Sequence, residues 1–197
     1  MNFDYLPMFS TGALISDLVL DSNIKEDVLN YEKTHISRKV SNVGGYQSNL
    51  IDMEEPWFKE LKEKVVDAVN WASREVYALE SSLKVGGAWV NINRDKEYNE
   101  WHIHDCPFSA VYYLDVPKDS GKICFESPSP LGLYVFGGMG EDGRSADSRS
   151  EFCIEPKSET LVIFNGFVRH RVEPNMSEKN RISIAMNLYT DKNYLKG

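Results

Sequence analysis

Apolar side chains recur every three or four positions after Pro56, at Trp57, Leu61, Val65, Ala68, Ala72 and Val76, with Lys and Glu elsewhere. That period belongs to an α-helix with one buried stripe, and proline suits its first turn, where an N–H would lack a helical partner anyway. One long amphipathic helix packed on a sheet is predicted from Pro56. A shorter helix is predicted to open in Asp21-Ser-Asn-Ile-Lys-Glu-Asp, where polar capping residues precede acids in the first turn. A short strand over 13–20 comes before it. The Gly-Gly-Tyr-Gln-Ser segment at 44–48 reads as a loop.

From about Val85 the pattern shortens to apolar or alternating runs at 87–93, 110–116, 122–126, 160–164 and 181–189, separated by Gly, Pro and Asp. Runs of this kind are strands. Helices first and antiparallel strands afterwards give an α+β chain: a double-stranded β-helix, or jelly-roll, barrel with N-terminal helices packed on one sheet. A single domain over 1–197 is expected, with a helical support region at 1–80 and a barrel core at 85–190. Residues 127–150 have weak strand character and four glycines between 137 and 143. They are expected to form a mobile lid or substrate-facing insertion.

Composition narrows this picture. The 197 residues are 42% hydrophobic and 26% charged, an ordinary globular balance with enough apolar material for one core. A formal charge of −8 argues against nucleic acid as a partner, because phosphate neutralisation needs a concentrated basic face. The cysteines Cys106, Cys124 and Cys153 are odd in number and match no zinc spacing, so no disulfide framework is expected. The longest apolar runs are strand-length, and the N-terminus lacks the basic start and apolar stretch of a signal peptide. No membrane association and a reducing cytoplasm are expected; oligomeric state is not legible.

Candidate chemistry centres on the histidines, of which there are four. His102 and His104 are two residues apart, so a strand running through both would present two imidazoles on one face. If the strand stops at His104, Asp105 becomes an alternative inward ligand. His170 lies far downstream, where a barrel can fold it opposite the pair. Such a set suits an iron centre that leaves coordination positions open for cosubstrate and oxygen. Arg181 opens Arg-Ile-Ser-Ile-Ala-Met-Asn-Leu-Tyr, in which 181, 183, 185 and 187 share a polar or small face. A guanidinium on that face suits a carboxylate bidentately. Tyr112 and Tyr113 point to opposite faces, so one of them can bring a hydroxyl to the same carboxylate. Two rivals use other chemistry: a cupin-type metalloenzyme with three histidines and no 2-oxoglutarate, and a non-catalytic jelly-roll module. A cupin would usually place a glutamate shortly after His-x-His, and 106–111 contain none.

Gly-Gly-Tyr-Gln-Ser, Trp89-Val-Asn, His-x-His, Ser109-x-Val-Tyr-Tyr-Leu, His170-x-Val-Glu-Pro-Asn and Arg181-Ile-Ser-Ile together resemble the 2-oxoglutarate/Fe(II) oxygenases. Within them the resemblance is to a group common in marine bacteria and their phages, with wider similarity to prolyl hydroxylases. It implies a dioxygenase or hydroxylase using Fe(II), 2-oxoglutarate and O2, in a bacterial or phage-infected cell. It further implies His102 and His170 as iron ligands, Arg181 as partner of the distal 2-oxoglutarate carboxylate, and Tyr113 and Ser183 as supporting hydroxyls. Asn91, Asn93 and Asn187 are further pocket candidates. The family's carboxylate ligand falls at position 104, where this chain has His104. A third histidine makes the centre more positive, because no anionic ligand offsets the metal. The substrate is expected to be a small molecule or a protein side chain.

Overall fold

The helix predicted from Pro56 begins with a 3-10 turn (Pro56–Phe58) and continues as α2 (Lys59–Tyr77). Its buried stripe is Leu61, Val65, Val69 and Ala72, whereas Val76 has drifted out to 51% exposure. The earlier helix is α1 (Lys25–Thr34), preceded by β1 (Ala13–Asp17), which ends before the predicted residue 20. This computed structural model describes residues 11–80, 82–128 and 151–190. The expected lid at 127–150 therefore lies, but for its first two residues, outside the described residues.

The remaining strands are β2 (Asn42–Val43), β3 (Tyr46–Gln47), β4 (Leu83–Asn93), β5 (Tyr98–His102), β6 (Phe108–Asp115), β7 (Ile123–Glu126), β8 (Glu151–Ile154), β9 (Thr160–Asn165), β10 (His170–Val172) and β11 (Arg181–Thr190). They form a six-stranded sheet of order β1-β9-β6-β11-β4-β3 and a five-stranded sheet of order β2-β5-β10-β7-β8. Every pairing given by register is antiparallel. The architecture is thus mixed, with two antiparallel sheets and few helices. From β4 to β7, and again from β9 to β11, successive strands alternate between the sheets.

The long central strands explain the layering. On β4, Ala88, Val90 and Ile92 face the helices while Trp89, Asn91 and Asn93 face the other sheet; β11 repeats this with Ile182, Ile184 and Met186 against Arg181, Ser183 and Ala185. The helix-side residues join Val28, Phe58, Leu61, Val65 and Val69 in one apolar core. A second cluster, including Ile123, Phe125, Ile154, Val162, Phe164 and Val168, fills the space between the sheets.

Two expectations are corrected here. Part of the Gly-Gly-Tyr-Gln-Ser loop is strand: Tyr46 and Gln47 pair with Ile92 and Asn91 at the edge of the large sheet. Two residues are too few to show an alternation. Cys124 and Cys153 form a disulfide although the chain has three cysteines. An odd count excludes only complete pairing, and these two stand directly opposite each other on β7 and β8, a neighbourhood set by the sheet. Among the described residues no helix is long and apolar enough to cross a membrane.

Candidate metal centre

His102 ends β5 and His170 begins β10, and the two are direct cross-strand partners. Their ring centroids are 4.2 Å apart, and that of His104 is 5.0 Å from each. One nitrogen from each ring lies within 4.8 Å of the others, a spacing that could hold a metal ion. Nδ1 of His102 contacts the carbonyl of Glu100 at 2.6 Å, and Nδ1 of His170 contacts that of Val168 at 2.8 Å. A carbonyl only accepts, so each Nδ1 carries the proton. Both Nε2 atoms keep a free lone pair.

β5 stops at His102, so strand alternation does not place His104. Its backbone N–H instead donates to the carbonyl of Gly166 at 2.8 Å, and its ring lies 5.5 Å from Trp89. Position 166 must be glycine for this approach: a Cβ there would sit 2.4 Å from the Cys106 carbonyl oxygen and 2.6 Å from its sulfur. Asp105, the alternative ligand, is exposed and outside the cluster.

Burial lowers the pKa of all three imidazoles, that of His104 to about 4 and that of His170 to about 3, with His102 adding to both shifts. At neutral pH they are uncharged and offer lone pairs without first releasing a proton. A consequence for the metal-free protein follows. Free histidine titrates near 6.5, so below that pH the unfolded chain takes up protons that the folded site refuses, and unfolding is favoured. Stability of the metal-free protein should fall as pH drops from 6.5 toward 4, and His170→Ala should remove part of that dependence in urea titrations. Glu60, held to about 2 chiefly by the Ser22 hydroxyl, acts in a separate window, losing its contribution only below its ordinary 4.5.

Arg181 lines the same pocket and is 1% exposed. Its Nη1 donates to the carbonyls of Ser120 and, at 3.2 Å, Glu173. Its buried Nη2 has no hydrogen-bond partner among the described residues. Burial pulls its pKa down, since nothing in this wall compensates the charge fully. Gly121 makes the carbonyl cradle possible: it adopts φ +85, and a Cβ there would meet the Glu173 and Pro174 carbonyl oxygens at 2.6 and 2.7 Å. Tyr113 also lines the pocket, its phenol pushed up to about 12 by burial and hence a donor at neutral pH. Tyr112 takes the opposite face and joins the helix-side core.

Asn91, Asn93 and Ser183 line the pocket as well, but Asn187 is not among its lining residues. The Asn187 side-chain oxygen instead accepts from the Ser109 hydroxyl at 2.9 Å. Two polar lining residues escaped the sequence reading, Asn99 and Ser41. Asn99 donates to Ser41 at 3.1 Å, and both face the cavity. Asn99 and His102 are three apart, so a regular strand would turn them to opposite faces. The register shift between His170 and Val172 turns both inward. Among the described residues no aspartate or glutamate lines this pocket.

A family profile described as "Putative 2OG-Fe(II) oxygenase" matches residues 87–187, just over half of the chain, including all three histidines and Arg181. The chain belongs to this family. As a 2OG-Fe(II) oxygenase it is an enzyme that uses Fe(II), 2-oxoglutarate and O2. Its fold is similar to that of a Pseudomonas putida prolyl-4-hydroxylase, at 17% identity and TM-score 0.61 over 91% of this chain and 93% of that one. A Trichoplax adhaerens prolyl hydroxylase, solved with a hypoxia-inducible-factor peptide fragment, is similar at 16% identity and TM-score 0.64, covering 93% and 86%. HygX from Streptomyces hygroscopicus, solved with nickel, 2-oxoglutarate and hygromycin B, is similar at 15% identity and TM-score 0.61, covering 92% and 84%. Among curated proteins there is no match.

Proposed function

We propose that this oxygenase hydroxylates a C–H bond of its substrate with Fe(II) held by His102, His104 and His170 and the distal carboxylate of 2-oxoglutarate held by Arg181. The observation that carries the reading is the buried, unpartnered Nη2 of Arg181 in the pocket that also holds the three imidazoles. A buried cation whose hydrogen bonds, among the described residues, go only to carbonyls is costly, and a carboxylate seated on its free edge would offset that cost. The two sheets, with strands passing back and forth between them, support a double-stranded β-helix arrangement.

Iron, when bound, supplies the redox chemistry that couples oxidative decarboxylation of 2-oxoglutarate to substrate hydroxylation. The chain's share is positioning. Arg181 fixes one end of the cosubstrate, while Tyr113 and Ser183 offer hydroxyls to the same carboxylate. The carbonyls of Glu100 and Val168 fix the tautomers of two ligands, and Trp89 flanks the third. Phe125, Phe164 and Val168 form an apolar floor that excludes water behind His170. The substrate is a small molecule or a protein side chain, the two classes represented by the hygromycin B and peptide complexes of the structural relatives.

Succinate formation from 2-oxoglutarate in the presence of Fe(II) and O2 tests the reading directly. Protein that binds Fe(II) but converts no 2-oxoglutarate, with or without candidate substrates, would overturn it. The ligand choice has its own check. Asp105→Asn should leave the affinity for Mn(II), a redox-stable stand-in, within about twofold of wild type, whereas His104→Ala should weaken it at least about tenfold. A reversed order would move the third ligand to Asp105.

A further inference from the structure

The Cys124–Cys153 bond ties β8 to the sheet that carries two of the histidines. β8 has four residues and, among the described residues, stands at the edge of the small sheet, where its strand partner is β7. It contributes Ile154 to the apolar floor, and its Glu151 pairs with Arg171 at 2.7 Å. On its other side β7 pairs with β10, where Cys124 stands opposite Arg171 and Phe125 opposite His170. The Phe125 and Phe164 rings lie 6.0 and 4.7 Å from that of His170. The disulfide is therefore one strand away from a metal ligand. Its sulfurs differ in access, since Cys153 is exposed and Cys124 fully buried.

We propose that this disulfide is a thiol–disulfide exchange site whose opening loosens β8 and, through β7 and the Arg171–Glu151 pair, the His170 side of the metal centre. The chemistry needs an external dithiol as the reductant. Its thiolate attacks the accessible sulfur of Cys153, the S–S bond breaks, and Cys124 leaves as a thiolate that then takes a proton. The Arg171 guanidinium on the neighbouring strand shares the outer face with Cys124, but Glu151 and Glu173 pair with it and stand beside the sulfurs, so the attack is set by the access of Cys153 rather than by local charge. The second thiol of the reductant then displaces Cys153, so two electrons enter the protein and the dithiol becomes a disulfide. Once freed, β8 is a four-residue strand that keeps its backbone bonds to β7, Ile154 in the apolar floor, Phe152 opposite Phe125 and the Glu151–Arg171 pair, and short strands open locally more readily than the long central ones. Cys106, the third cysteine, is buried and takes no part.

The test compares the full chain in air-oxidised form with the same protein reduced by dithiothreitol and desalted under argon. Thiol titration in denaturant should count one free thiol before reduction and three after, from three cysteines with one disulfide. Reduction should speed amide exchange over 151–154 and 123–126, lower Tm by about 5–10 °C, and weaken Mn(II) binding by about tenfold. A Cys124→Ala/Cys153→Ala double variant should resemble the reduced form and ignore dithiothreitol. Three thiols in the air-oxidised protein, or unchanged exchange over 151–154 after reduction, would overturn the proposal. So would unchanged Mn(II) affinity in reduced protein whose oxidised form binds the ion normally. The metal arm rests on the histidine assignment above while the exchange arm does not. Failure of both forms to bind Mn(II) would count against that assignment and leave the exchange result to decide on the disulfide.

Discussion

Arg181→Ala should weaken 2-oxoglutarate binding by about 2–4 kcal/mol, the range for truncating one partner of a buried charge pair. That corresponds to about 30- to 700-fold in dissociation constant, measurable by calorimetry on the Mn(II)-loaded protein. Fold stability should respond differently. The guanidinium is 1% exposed and, among the described residues, hydrogen-bonded only to carbonyls, with one nitrogen unpartnered. Replacing it with the apolar Leu removes a poorly compensated buried charge but orphans the two carbonyls, so the melting temperature should stay within about 5 °C of wild type. Arg181→Lys keeps the charge without the planar fork and should fall between Ala and wild type in affinity. Wild-type 2-oxoglutarate affinity in a folded Arg181→Ala protein would remove this residue from the cosubstrate site.

The second large effect is expected from His170→Ala, which deletes the proposed ligand seated between Phe125, Phe164 and the other two imidazoles. Mn(II) affinity should drop by more than about 100-fold, since even changes to outer-shell partners of metal ligands cost about 10- to 100-fold. Conversion of 2-oxoglutarate to succinate should fall below detection. The fourth histidine supplies the control. His35 stacks on Tyr31 at 3.8 Å and lies outside the metal-competent cluster, so His35→Ala should leave both measurements unchanged. Equal losses in the two variants would mean that the effect is unfolding rather than ligand removal.

The parts of this site that rest on strict periodicity were legible before the fold was known. Long runs such as 181–189 carry enough alternation to fix which side chains share a face, and Arg181 and Ser183 do line the cavity together; for Tyr112 and Tyr113 alternation stated only that they take opposite faces, and the family resemblance pointed to Tyr113. Asn187 belongs to the same alternation yet lies beyond the cavity. Periodicity states the face and says nothing of how far along a strand the cavity extends. His104, rather than Asp105, joins the cluster with His102 and His170, but not by the strand alternation that suggested it. The strand ends before it, and the contact that holds it comes from Gly166, more than sixty residues away. Asn99 was missed because a bulge breaks the two-residue rule, and Ser41 because its neighbours form a strand only two residues long. The disulfide was missed because cysteine counting cannot report which strands become neighbours.

The large sheet divides its labour by face. Toward the helices it presents Val90, Ile92, Ile182, Ile184 and Met186, packed against α1 and α2. Fully burying each such side chain contributes about 1.5–3 kcal/mol. Toward the small sheet it presents Asn91, Asn93, Arg181 and Ser183, polar groups that add little to folding. Because alternate residues of the same strands serve the two ends separately, substitutions on the cavity side can change the chemistry of the site while the helix-facing side keeps the chain folded. The tolerance of this enzyme to change in its cavity thus rests on α1 and α2, packed on the face of the sheet opposite the three histidines.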